Sequence, residues 1–161
     1  MKLSKSFTRK KSDLIFFKDS FLSKKECDYW IKKSPKLGKG NFTWEQSTVD
    51  ITKEDIVNKV IFFFKKTLNF NLSIRQAQIQ NWNIGSNSNL HIHDNKGREN
   101  GKYNSLIYLN EDFDGGEFFT KNGIVIKPKI GKLTLFNGSK VYHGVKKVYK
   151  KDRLTLIFWW K

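Results

Sequence analysis

The chain has 161 residues, enough for one domain with its own core, and apolar residues, among them 14 Phe, supply 38% of it, which excludes a disordered protein. No stretch approaches the about 18 consecutive apolar residues of a membrane span, a lone cysteine (Cys27) allows no internal disulfide, and the basic N-terminus precedes an apolar run too short for a signal segment, so a soluble, cytoplasmic protein is expected. The net charge of +16 is nearly all lysine, with arginine only at Arg9, Arg75, Arg98 and Arg153; this argues against base-specific nucleic-acid recognition and leaves nonspecific association with polyanions.

Residues 1–12 are polar and basic without apolar periodicity and read as a mobile arm ahead of a single domain over 13–161. A short β-type run covers 14–18. Ser23 and Glu26 form a capping-box pattern that starts a helix reaching about residue 33, with Cys27, Trp30 and Ile31 as its apolar stripe. Residues 34–50 read as a loop, with a short strand around 42–44. Thr52 resembles a second cap, and the helical spacing of Ile56, Val57, Val60, Ile61, Phe63 and Phe64 predicts a helix over 53–68.

From Leu72 the pattern turns to β. Leu72 and Ile74 alternate on one parity, Ala77 and Ile79 on the other, which calls for a bulge or a strand buried on both faces. Strands are predicted over 103–109, 117–120, 124–126, 132–136, 141–148 and 153–160. The turns between them fall at Gly115-Gly116, Asn122-Gly123, Pro128 to Gly131 and Asn137-Gly138. Two helices followed by about eight short strands predict a mainly β, α+β fold: a double-stranded β-helix, or jelly roll, with helices packed on one side.

Only three histidines are present: His91, His93 and His143. Residues two apart in a strand face the same side, so His91 and His93 can aim at one point. With His143 they would form a facial set of three metal ligands with open positions. Asp94 points the other way unless the strand ends first, in which case it replaces His93. The plain alternative is a surface pair near a turn, but no histidine is spent elsewhere.

The order of these elements resembles the prolyl-4-hydroxylase-like group of the iron(II)- and 2-oxoglutarate-dependent dioxygenases. The resemblance runs from about Leu14 to Trp160, through LIFFKDSFLSKKECDYWIKKS, the Trp82–Gly85–His91 spacing, LIYLNEDFDGGEF, IKPKIGKLTLF and HGVKKVYKKDRLTLIFW. It implies a hydroxylase using Fe(II), 2-oxoglutarate and O2, with ascorbate in support. The substrate would be a prolyl or other peptidyl side chain, or a small molecule. His91 and His143 match the family's metal histidines. Arg153, ten residues after His143, matches the cation that holds the far carboxylate of 2-oxoglutarate, with Thr155 and Tyr108 as its hydroxyl partners. Trp82, Phe118 and Phe136 are candidate walls, and residues 36–48 and 95–102 candidate substrate loops.

One departure stands out. The family has His-x-Asp where this chain has His91-Ile92-His93, with Asp94 one place later, so the third ligand is either His93 or Asp94. The altered motif also keeps open a jelly-roll binding module without catalysis or a cupin-like three-histidine metalloenzyme, and the positive charge an oxidative nucleic-acid demethylase.

Overall fold

The computed structural model describes residues 15–34, 46–93 and 102–161. The basic arm, the strand expected around 42–44, Asp94 and nearly all of the loop over 95–102 lie outside these residues. The described chain runs β1 (Ile15–Lys18), α1 (Lys24–Lys33), β2 (Gln46–Asp50), α2 (Asp55–Leu68), β3 (Ile74–Trp82), β4 (Ser88–His91), β5 (Tyr103–Tyr108), β6 (Asp114–Gly115), β7 (Phe118–Thr120), β8 (Val125–Ile126), β9 (Leu133–Phe136), β10 (His143–Val145), β11 (Val148–Tyr149) and β12 (Arg153–Trp160).

Helix α1 begins where its capping box lies. Ser23 Oγ accepts from the Glu26 N–H, and Glu26 Oε2 accepts from the Ser23 N–H at 2.8 Å, so two otherwise orphaned backbone donors are met. Helix α2 starts later than the sequence suggests, with Glu54 at its N-cap. The reason is a long-range contact. Thr52 Oγ1 accepts from the Ala77 N–H at 2.9 Å and is spent tying the chain to β3.

The strands form an antiparallel six-stranded sheet, in the order β1-β9-β5-β12-β3-β2, and a four-stranded sheet, β4-β10-β7-β8, with β11 and β6 paired apart. This is the double-stranded β-helix expected. Its parity slip at Ile74 is a bulge: Trp159 pairs with Gln76 but Trp160 with Ile74, so Arg75 is the extra residue and Ile74 rejoins the face of Ala77 and Ile79. The predicted strand over 141–148 is instead two pieces, β10 and β11, because the chain leaves the four-stranded sheet after Val145 and pairs with Gly115 at Val148.

Alternation divides the large sheet into two faces. Ala77, Ile79, Ile107, Leu109, Leu133, Leu135, Leu156, Phe158 and Trp160 pack with Trp30, Val60 and Phe64 of the helices. The opposite face carries Trp82, Leu106, Tyr108 and Phe136, which meet Phe118 and Val145 of the small sheet. The helices thus close the outer face and stiffen the sheet, and the chemistry-bearing side chains are left between the sheets.

Candidate metal centre and cosubstrate pocket

Sheet pairing brings the three histidines together. His143 opens β10 and lies directly opposite His91 at the end of β4, a separation at which side chains touch. His93 follows two residues after β4 ends, and its N–H donates to the Gly138 carbonyl at 2.8 Å. One ring nitrogen from each histidine lies within 4.8 Å of the others.

Each ring is held through Nδ1. His91 Nδ1 donates to the Asn89 carbonyl at 2.8 Å and His143 Nδ1 to the Val141 carbonyl at 2.7 Å. His93 Nδ1 faces Asn104 Oδ1 at 2.8 Å. A carbonyl can only accept, so the proton sits on Nδ1 and Nε2 keeps its lone pair. Burial pushes the His143 imidazolium down to about 3 and lowers that of His93, which keeps both rings neutral. Three imidazoles, each with Nδ1 engaged by an oxygen acceptor, suit a transition-metal dication, and the residues present fit that group.

The imidazoles line a cavity of about 130 Å³ together with Arg153, Thr155 and the expected walls Trp82, Phe118 and Phe136. Arg153 is 2% exposed, and none of the ion pairs among the described residues involves it. Its Nε donates to the Gly116 carbonyl at 3.0 Å. The guanidinium lies 5.4 Å from the centroid of Trp82 and 5.1 Å from that of Tyr108. A buried cation without a carboxylate is costly unless an anion joins it. Thr155 is buried beside Tyr108 on the neighbouring strand, and Tyr108 Oη is buried without a hydrogen-bond partner among the described residues. This unsatisfied hydroxyl and the unpaired cation fit a small dicarboxylate reaching in from the histidines.

A family model described as the 2OG-Fe(II) oxygenase superfamily matches residues 77–161, which hold all three histidines and Arg153. The chain belongs to the 2OG-Fe(II) oxygenase superfamily. Among relatives of this oxygenase, "Prolyl 3-hydroxylase 2" of Mus musculus is 42% identical over 64 residues, and "Prolyl 3-hydroxylase 3" of Homo sapiens 38% identical over 64 residues. Each alignment covers 35% of this chain and only 9% of the relative's length. Among solved structures, the viral collagen prolyl hydroxylase from Paramecium Bursaria Chlorella virus-1, in its 2OG complex, has a TM-score of 0.70 at 20% identity, covering 91% of this chain and 94% of that one. A Pseudomonas putida prolyl-4-hydroxylase has a TM-score of 0.63 at 18% identity, covering 91% of each chain. These two likenesses show the fold.

His91, His93, His143, Arg153 and Thr155 line this cavity and Tyr108 lies beside it, paired with Thr155, whereas Asp94 is outside the described residues. Reading the sequence missed Asn104, Gly138 and Gly116, which hold His93 and Arg153 from distant elements. It also missed Gln80, whose Oε1 accepts from Trp82 Nε1 at 3.2 Å and fixes that wall.

Proposed function

We propose that this protein is a hydroxylase that uses Fe(II), 2-oxoglutarate and O2 to insert one oxygen atom into a C–H bond of a prolyl or other peptidyl side chain. The observation that carries the reading is Arg153, a buried cation without a carboxylate partner among the described residues that shares one cavity with the three clustered imidazoles. With iron bound, the site would supply oxidative decarboxylation coupled to hydroxylation: R–H, O2 and 2-oxoglutarate give R–OH, succinate and CO2.

In this reading His91, His143 and His93 hold the metal. Arg153 binds the far carboxylate of the cosubstrate, Tyr108 and Thr155 donate hydroxyls to it, and Trp82, Phe118 and Phe136 exclude water. The peptidyl substrate is supported by the prolyl hydroxylases among the relatives, which share a 64-residue segment with this chain. The lysine-rich surface adds nonspecific affinity for polyanions. Among the described residues no helix is long and apolar enough to cross a membrane. The single, buried thiol of Cys27 supports a reducing, cytoplasmic setting.

The test is succinate release from 2-oxoglutarate with Fe(II) and ascorbate under air, with and without proline-rich peptides, followed by mass spectrometry of the peptide. A gain of one oxygen on the peptide with the unmodified protein, and succinate release in Arg153→Met that recovers only at much higher 2-oxoglutarate concentration, is the expected result. Bound iron with no turnover on any peptide would sink the hydroxylase reading in favour of a binding module, whose motif the replacement of a carboxylate by His93 already suggests.

A further inference from the structure

We propose that Asn104 and Gly138 are positioning residues that build the third metal ligand, with Asn104 fixing the ring of His93 and Gly138 providing the space both need. This rests on the reading that the three imidazoles hold a metal ion. It goes beyond that reading by assigning the device that holds the His93 imidazole in place.

The argument begins with Asn104. It is fully buried on the inner face of β5, where its strand neighbours are Phe136 and Trp159. A buried amide between large apolar side chains is costly unless its polar atoms are used. Its Nδ2 has no hydrogen-bond partner among the described residues, whereas Oδ1 meets His93 Nδ1 at 2.8 Å. Core packing alone would be better met by an apolar residue of similar size. The amide is explained by what its oxygen does: it accepts the Nδ1 proton of His93 and turns Nε2 toward His91 and His143.

Gly138 is the second half of the device. A Cβ there would fall well inside contact distance of Asn104 Oδ1 and 2.6 Å from His93 Nδ1. Any side chain at 138 would therefore break the pair. The Gly138 carbonyl also accepts the His93 N–H, so one residue anchors the backbone of His93 and leaves room for its ring. His91 and His143 are held by carbonyls two residues away in their own segments, so they need no such help. His93 lies beyond the end of β4 and takes both of its holds from other elements.

The experiment is a Co(II) titration of the metal-free, full-length protein, followed by visible absorption, with thermal unfolding of each metal-free variant measured alongside. Asn104→Ala is expected to weaken Co(II) binding by roughly 10–100-fold, the usual effect of losing an outer partner of a metal histidine. Asn104→Asp, which can still accept from Nδ1, should restore affinity to within a few-fold. Gly138→Ala should weaken it as Asn104→Ala does. In a His93→Ala background, Asn104→Ala should have no further effect, because its role runs through that ring. Wild-type affinity in Asn104→Ala, or no rescue by Asn104→Asp, would overturn the proposal. So would unchanged affinity in His93→Ala, which would move the third ligand to Asp94. No 2-oxoglutarate enters this titration, so an absence of hydroxylase turnover leaves its outcome untouched.

Discussion

Arg153 at the start of β12 is joined to Gly116, just after β6, by its Nε, which donates to the glycine carbonyl at 3.0 Å. Gly116 has φ +63, and a Cβ there would lie 3.0 Å from Arg153 Cδ and 2.7 Å from the Phe113 ring. One end of the guanidinium is thereby fixed, and among the described residues its terminal nitrogens have no hydrogen-bond acceptor and can serve a ligand. Arg153→Met should therefore raise the KM for 2-oxoglutarate by about 100-fold or more, the loss of a buried charge-assisted pair. The same change should leave the melting temperature of the ligand-free protein unchanged or higher, since it removes an uncompensated buried charge. Calorimetric titration with 2-oxoglutarate and a thermal melt separate the two effects. Gly116→Ala should lower both affinity and stability, because it strains the backbone and displaces the arginine.

Tyr108→Phe tests whether the buried hydroxyl is kept for a ligand. Tyr108 is fully buried and its Oη finds no partner among the described residues. Deleting a hydroxyl that makes no hydrogen bond should change ligand-free stability by less than about 1 kcal/mol, whereas deleting one that donates to a carboxylate should cost about 1–2 kcal/mol of binding. The expected outcome is a KM for 2-oxoglutarate raised roughly 5- to 30-fold with an unchanged urea midpoint. A fall in the midpoint with unchanged KM would make Tyr108 a packing residue.

What the sequence made legible follows from the range of the interactions involved. The capping box of α1 lies within four residues, so Ser23 and Glu26 announced it. The bulge at Arg75 showed as a change of parity between Ile74 and Ala77, since a buried face must be regained after an extra residue. Thr52 misled because its hydroxyl goes to Ala77, 25 residues away. The same limit hid the supports of the site. Asn104 looked like one polar residue in a strand and Gly138 like a turn glycine. Their meaning appears only when β5 and the turn before β10 are brought to His93. The histidines themselves were legible because so few were available.

Glu26 joins the two helices, since its carboxylate caps α1 and pairs with Lys59 of α2. The Lys59 contact, with the Ser23 donors adding to it, lowers its pKa from 4.5 to about 2. Because the folded value lies below the unfolded one, the stabilisation is fully present above about pH 4.5 and is lost as pH falls toward 2. The side chain is 42% exposed, so solvent screening holds the contribution to about 0.5–1 kcal/mol, well under what the shift alone suggests. Glu26→Gln keeps the capping geometry and removes the charge. Denaturation of the two proteins should differ by that amount at pH 6 and converge near pH 2. A difference that persisted at pH 2 would assign the effect to packing.

Metal binding should also be visible as stability, because a three-imidazole set assembled from the end of β4 and the start of β10 exists only in the folded chain. A divalent ion that binds the folded form alone stabilises it by about 2.7 kcal/mol at a free concentration 100 times its Kd. For a chain of this length that corresponds to a rise in Tm of roughly 5–10 °C. Chelation should reverse the rise. His143→Ala should abolish it and also lower the baseline, since the ring is buried between Phe118 and Phe136, with centroids 5.6 and 4.5 Å away. His91→Ala removes a less buried ring, so it should abolish the rise with a smaller change in baseline. The two variants together distinguish a lost ligand from a lost core contact: both must lose the metal-dependent shift, and only His143→Ala should melt clearly earlier without metal. If His91→Ala kept the full shift, the ion would be bound elsewhere and the facial set of three would not be the metal centre.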